Sequence, residues 1–325
     1  MAKYQTVEKK PVDTIQPIKV WVIQFKYLIV AMRPKQWYKN LLLFVALIFS
    51  LNEHWNFQDI SQARHLFGIT AAAFLLFVLL SIATYLINDL IDLDADRQHP
   101  EKKDRPLAAG KLSLKLTTNV AILLTLVSLP LSYWLGLATD AGPTFGILAT
   151  LYFLLTLSYS LFLKHVVILD VFVVASGFVL RVVAGSVILS FPISPWLYIC
   201  TMLLALFLAL TKRRHEISLL SENSGNHRKT LSEYTTKLID EMIALITAAT
   251  LISYCLYTFS AENLPDNHAM MLTIPFVLYG IFRYLYLIHI KGAGGSLEEM
   301  LLKDKSLIIT IALWVISVIL ILYIF

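Results

Sequence analysis

The chain has 325 residues, 58% of them hydrophobic and only 15% charged, a balance too apolar for a soluble domain. Its net charge of +5 would suit a nucleic-acid partner, but the cations are distributed as in a membrane protein, so no nucleic acid is expected. Both cysteines, Cys200 and Cys255, lie in apolar stretches, which argues against a disulfide framework or a thiolate zinc site.

Residues Met1 to Asp13 mix Lys3, Lys9 and Lys10 with Glu8 and Asp13. No apolar run with a small-residue cleavage site follows, so no signal peptide is expected. Ile18 to Met32 is apolar but interrupted by Lys19, Gln24 and Lys26, the pattern of a helix lying on the bilayer surface. Arg33-Pro34-Lys35-Gln36-Trp37-Tyr38-Lys39 then forms a basic, aromatic collar at headgroup height. Nine spans are predicted, over 36–52, 66–91, 113–138, 143–163, 166–190, 195–214, 238–260, 269–290 and 305–325, because about 20 apolar residues cross a hydrocarbon core. The connection 52–65 has room for a short surface helix. Of the 27 Lys and Arg, all but Arg64, Arg181 and Arg283 fall in the first 40 residues or in, or at the edge of, the connections after the second, fourth, sixth and eighth spans. The positive-inside rule places those segments and the N-terminus in the cytoplasm, and the C-terminus outside. The expected fold is all-α and polytopic, one transmembrane domain over 1–325 with 1–35 as tail and interfacial helix.

Chemistry is concentrated in Asn88-Asp89-Leu90-Ile91-Asp92-Leu93-Asp94-Ala95-Asp96, at the end of the second span. On a helix Asn88, Asp92 and Asp96 fall at i, i+4 and i+8, with Asp89 three residues before Asp92. Carboxylates this close repel one another unless cations lie between them. Hard oxygen ligands on one face suit Mg²⁺, which uses one or two carboxylates together with phosphate oxygens. Lys102, Lys103 and Arg105 follow directly, as expected if phosphates are bound between the two groups, although positive-inside charge accounts for part of this cluster. His99 and His215 read as polar loop residues rather than ligands.

Asn-Asp-x-x-Asp-x-x-x-Asp followed by Arg105-Pro106-x-Ala108-x-Gly110 resembles the first aspartate-rich motif of the UbiA superfamily. That resemblance implies nine helices around a central cavity, with Mg²⁺ on Asp89, Asp92 and Asp96 holding a diphosphate leaving group. Prenyltransferases of this superfamily carry a second Asp-x-x-x-Asp after the sixth span. This chain has Lys212-Arg213-Arg214-His215-Glu216 there. Tyr159 and Lys164 at the fourth-to-fifth corner, Asp170, and Arg181 on the same helical face as Asp170 are further departures. An arginine inside a membrane helix is costly and usually functional, and Arg181 is expected to point into the same cavity as Asp170.

These departures, with Arg33–Asn40 and Phe282–Asp304 (Arg283-Tyr284-Leu285-Tyr286, then Gly294-Gly295-Ser296), resemble the phosphoribosyltransferase branch of UbiA. By this resemblance the donor is phosphoribosyl pyrophosphate and the acceptor a polyprenyl (decaprenyl) phosphate, in a bacterial inner membrane with the site on its cytoplasmic face. Lys35, Tyr38, Lys102, Arg105, Tyr159, Lys164, Asp170, Arg181, Lys212, Arg213 and Arg214 are the substrate-binding candidates. The anionic lipid phosphate needs no general base, consistent with a chain lacking any Ser-His-Asp or Cys-His constellation. Prenyl transfer to an aromatic acceptor is the alternative, disfavoured by the missing second acidic motif. A transporter would place its ionisable residues near the midplane with access from both sides, whereas here they gather at one face. A homo-oligomer is compatible with these features.

Overall fold

In lipid an apolar run can satisfy its backbone groups only as a helix or a closed barrel, and helices are what these runs form. The computed structural model describes residues 17–51, 53–99, 102–192, 195–222, 233–261, 264–291 and 304–324. Among them there is no sheet, only a single Leu51–Trp55 bridge. Helix α1 spans Pro17–Ala31, and a 3₁₀ segment over Pro34–Phe44 runs into α2, Val45–Phe49. Then follow α3 (Ile60–Ile91), α4 (Leu93–Gln98), α5 (Leu114–Leu137), α6 (Thr144–Leu161), α7 (Leu169–Ile188) and α8 (Pro195–Glu222). The last three are α9 (Thr236–Ser260), α10 (Ile274–Lys291) and α11 (Lys305–Ile324).

Eight helices among the described residues are long and apolar enough to cross a membrane, namely α3 and α5 to α11, with α10 extended by the 3₁₀ turn before it. The nine predicted spans are therefore not all reproduced. The difference is the first, 36–52, which is a 3₁₀ segment continued by five α-helical residues. Arg33 enters it in the left-handed region at φ 52°, and Pro34 occupies its first turn. A 3₁₀ helix rises about 2.0 Å per residue, so the segment and α2 together still reach roughly 30 Å. Its eleven residues far exceed the usual 3₁₀ run, so tertiary contacts have to hold it. One is a close approach to α7, where a Cβ on Gly185 would stand 2.2 Å from the Leu43 carbonyl oxygen. The connection 52–65 forms no separate surface helix; from Ile60 it is already the first turn of α3, capped by Asp59, whose carboxylate accepts the Gln62 N–H at 2.9 Å.

The packing is that of a membrane bundle. Leu123, Leu126, Trp134, Leu245 and Ile252 are exposed, while Asn40, Ser81, Asp170 and Arg181 are buried. Helix α7 is central, touching α3, α6, α8, α2 and the 3₁₀ segment. With 32 residues, α3 is about 48 Å long against a hydrocarbon core of about 30 Å. It is therefore longer than a hydrocarbon core requires, and its final turn carries Asn88 and Asp89. Helix α1 is tied to the start of α5, since the Gln24 side chain donates to the Lys111 carbonyl at 3.0 Å and accepts the Ser113 N–H at 2.9 Å.

Candidate active site

The acidic motif keeps its helical spacing across a break. Helix α3 ends at Asp92, whose N–H bonds the Asn88 carbonyl at 2.9 Å, and α4 starts at once, with the Asp96 N–H on the Asp92 carbonyl at 2.7 Å. Asp89 and Asp96 are buried. Asp94 is 89% exposed and pairs with Arg97 at 3.2 Å, so the face that matters is Asp89, Asp92 and Asp96.

Three cations from three separate elements meet those carboxylates. Arg33, at the entry of the 3₁₀ segment, pairs with Asp89 and lies over the Tyr85 ring at 5.1 Å. Arg105 donates through Nη1 to Asp89 Oδ1 at 3.1 Å and to Asp96 Oδ2 at 2.6 Å. Lys164, buried in the turn before α7, pairs with Asp92 Oδ1. The loop bearing Arg105 is fixed by buried Leu107 and Leu112, which join the cluster of Leu28 and Ala31 on α1. Gly110 makes the turn at φ 69°, where a side chain is disfavoured. Asn88 is half-buried, Lys102 is half-buried, and Lys35, Lys103 and Lys212 are exposed. His99 serves the turn, its Nδ1 facing the Lys102 N–H at 3.4 Å.

Among the described residues no three His, Cys, Asp or Glu converge as a preformed metal cage. The donor set nonetheless fits Mg²⁺. The ion pairs engage one oxygen of each carboxylate, Oδ1 of Asp89, Oδ1 of Asp92 and Oδ2 of Asp96. Each keeps its other oxygen outside those pairs, and Mg²⁺ needs only one or two carboxylates, with phosphate and water completing its shell.

The Lys212-Arg213-Arg214 cluster is not three free cations. Arg213 is buried with every arm engaged: Nε on Asp170 Oδ2 at 2.8 Å, Nη2 on the Tyr159 hydroxyl at 2.8 Å, and Nη1 on Glu216. Arg214 pairs with Asp240 at 2.6 Å. Tyr234 completes the group, donating to Asp170 Oδ1 at 2.9 Å and accepting the Ile168 N–H at 2.6 Å. Burial, with the Asp170 charge beside it, pushes the Tyr234 hydroxyl up to about 12. Ile168 sits at φ 71°, costly for a β-branched residue, so this bond steadies the strained corner between Lys164 and Asp170.

Arg181, on the same helix as Asp170, has partners of its own, while Asp170 pairs with Arg213. Arg181 donates to Asn40 Oδ1, the Gly177 carbonyl and the Tyr152 hydroxyl, each at 2.7 Å. Tyr234, Tyr152 and Ser81 were not among the sequence candidates. Tyr152 and Ser81 lie in apolar helices and Tyr234 in the connection before α9, and in neither place does a lone tyrosine or serine carry a sequence signal of its own. Elsewhere Arg283 forks onto Asp304 at 2.7 and 3.2 Å, and these hydrogen bonds hold the Asp304 carboxyl below its usual range. Gly294-Gly295-Ser296 lie outside the described residues.

The UbiA prenyltransferase family model matches residues 41–300. The chain is 33% identical to the decaprenyl-phosphate phosphoribosyltransferase of Mycolicibacterium smegmatis, covering 89% of this chain and 90% of that one. It is likewise 33% identical to the enzyme of that name from Corynebacterium glutamicum, covering 91% and 87%. In fold it is similar to a UbiA homolog from Archaeoglobus fulgidus bound to DMAPP and Mg²⁺, with a TM-score of 0.65 at 18% identity over 93% of this chain and all of that one. The aspartate face, the basic loop behind it and the helical bundle that presents them thus have one explanation: this chain belongs to the UbiA prenyltransferase family, on its phosphoribosyltransferase branch.

Proposed function

We propose that this protein transfers the 5-phosphoribosyl group of phosphoribosyl pyrophosphate to a polyprenyl phosphate, with Mg²⁺, at the cytoplasmic face of a bacterial inner membrane. The observation that carries the reading is the interleaving of Asp89, Asp92 and Asp96 with Arg33, Arg105 and Lys164. The curated relatives named above supply the substrate classes, and the clustering of Lys and Arg in alternate connections supports the orientation.

Mg²⁺ on the aspartates would neutralise the pyrophosphate as it leaves. The remaining work falls to the chain itself. Arg33, Arg105 and Lys164 stand beside those aspartates and would bind the phosphate oxygens, where charge-assisted bonds are about twice as strong as neutral ones. Their positive charge is fixed where charge develops as the bond from C1 of ribose to the pyrophosphate oxygen breaks. An oxygen of the lipid phosphate forms the new bond to C1. That oxygen is already anionic, so no proton has to be removed. Arg213 and Tyr234 hold the corner that sets Lys164.

The test is to incubate the purified protein with Mg²⁺ and polyprenyl phosphate plus either phosphoribosyl pyrophosphate or a prenyl diphosphate with an aromatic acceptor. Lipid-linked ribose phosphate is expected from the first mixture only. Prenylated acceptor without ribosylated lipid would return the protein to the prenyltransferase branch.

A further inference from the structure

We propose that Asn40, Ser81, Tyr152 and Arg181 form a second phosphate site, deeper in the bundle than the aspartates, that receives a phosphate monoester of the substrates. This rests on the phosphoribosyl-transfer reading. Ser81 lies eight residues before Asp89 on α3, so the group sits about 12 Å below the carboxylates. Asn40 and Ser81 are wholly buried, Tyr152 is 2% exposed and Arg181 5%.

The hydrogen bonds close a ring. Arg181 Nη2 donates to the Tyr152 hydroxyl at 2.7 Å, and Tyr152 and Ser81 bond each other at 3.1 Å. Ser81 donates to Asn40 Oδ1 at 3.3 Å, and Arg181 Nε donates to the same oxygen at 2.7 Å. Because Ser81 gives its hydrogen to Asn40, Tyr152 is the donor to Ser81. A guanidinium cannot accept, so the Asn40 oxygen must face Arg181 and the Asn40 amide orientation is fixed. Every hydroxyl hydrogen in the ring is then used.

What is left over is all donor. Asn40 Nδ2 has no partner, which leaves two buried N–H groups. The guanidinium has five N–H groups, of which three have the acceptors named, Gly177 O being the third. Arg33, Arg105, Arg213, Arg214 and Arg283 each touch a carboxylate. Arg181 touches none among the described residues, and only the faces of Tyr152 at 4.6 Å and Phe178 at 5.7 Å share its charge. A buried cation with surplus donors and no counter-ion is costly. An acceptor-only anion satisfies both deficits, and a phosphate monoester is the anion that this reaction brings. The ribose 5-phosphate of the donor and the phosphate of the lipid acceptor are its two sources.

The experiment compares phosphoribosyl pyrophosphate with ribosyl pyrophosphate lacking the 5-phosphate, in the wild-type protein and in Arg181→Met and Asn40→Asp. Asn40→Asp keeps the size and the accepted bonds, and it supplies Arg181 with a carboxylate, so it guards against loss of folding in Arg181→Met. If the 5-phosphate is the occupant, the wild type prefers the complete donor in kcat/KM by about tenfold or more, and the variants lose that preference. If the lipid phosphate is the occupant, the preference survives and the KM for polyprenyl phosphate rises by about tenfold instead. Equal losses on both donors with an unchanged acceptor KM, or no loss at all, overturn the site and leave Arg181 as a clamp on the 3₁₀ segment. Should the wild type ribosylate no lipid, the functional reading fails by itself. The site is then judged by whether inorganic phosphate raises the thermal midpoint of the wild type, as expected, and not that of Asn40→Asp. An equal shift in both overturns it.

Discussion

The aspartate face and the Asp170–Arg213 group are both ion-pair clusters at the same end of the bundle, yet they differ in how far their partners are used up. In the first, the arginines are about a quarter exposed, at 26% and 27%, and each carboxylate commits a single oxygen. Its cations arrive from three different elements. In the second, Arg213 and Asp170 are 5% and 3% exposed, the guanidinium has an acceptor on every arm, and Tyr234 takes the other Asp170 oxygen. A cluster with spare oxygens and two part-exposed arginines, Arg33 and Arg105, can exchange partners with a ligand, although its lysine, Lys164, is buried. A saturated one can only hold. Charge in the sequence does not distinguish the two; coordination does.

The sharpest way to break this contrast is at Asp92. Asp92→Asn keeps the size of the side chain and a carbonyl oxygen for Lys164 but removes a hard anionic ligand. Turnover is expected to fall by roughly 100-fold or more, with the thermal midpoint in detergent nearly unchanged, and excess chelator should silence the wild type to the same extent. Retained activity in either arm ends the Mg²⁺ assignment. Arg213→Met should do the reverse. Removing one partner of a buried pair costs about 3–5 kcal/mol, so the protein should unfold at clearly lower temperature. Adding Asp170→Asn to the same chain should restore part of the loss, because the stranded charge is gone. A stable, inactive Arg213→Met would move Arg213 from the scaffold to the substrate.

Most of the frame was legible in the sequence because lipid solvent imposes a simple rule. The predicted spans 143–163, 166–190, 238–260 and 305–325 meet the observed Thr144–Leu161, Leu169–Ile188, Thr236–Ser260 and Lys305–Ile324. The first span was not legible as a 3₁₀ segment. Hydropathy is blind to helix type, and what holds this one is remote: Gly185 against Leu43 and Arg181 on Asn40, 141 residues away. In the site, the aspartates could be read as a group because they lie within eight residues at helical spacing, which the chain keeps across the junction of α3 and α4. Partner choice among the cations could not. Arg213 finds Asp170, and Lys164 finds Asp92 across 72 residues, through a topology that local spacing does not contain. Nor does adjacency in sequence show that Lys212, Arg213 and Arg214 have different surroundings, since neighbours on a helix point in different directions: Lys212 is exposed, Arg213 meets Asp170 and Arg214 meets Asp240.

At Arg105 the comparison can be sharpened quantitatively. One nitrogen bridges Asp89 and Asp96, so Arg105→Gln removes the cation that the aspartate face is expected to hand to phosphate. One charge-assisted hydrogen bond is worth about 1.5–3 kcal/mol, which corresponds to a KM for phosphoribosyl pyrophosphate raised about tenfold or more. The KM for the lipid should move less. A variant in which stability falls and KM does not would make Arg105 a lock like Arg213, and the contrast between the clusters would collapse.

Arg214 should give the smallest effect, and it separates the structural reading from the one that sequence alone suggests. By sequence, Arg214 stands with Lys212 and Arg213 as a phosphate contact, and its loss would raise the donor KM about tenfold. In the fold its Nε and Nη2 reach Asp240 at 2.6 and 3.5 Å, and the Asp240 side chain is 36% exposed. An ion pair open to water to this degree is worth about 0–1 kcal/mol and weakens with salt. Arg214→Gln is therefore expected to lower the thermal midpoint slightly, to do so less at high ionic strength, and to leave both Michaelis constants within about twofold. A tenfold rise confined to the donor would show that Arg214 leaves Asp240 when substrate binds. The boundary between exchanging and holding clusters would then run between Arg213 and Arg214, not between the two halves of the site.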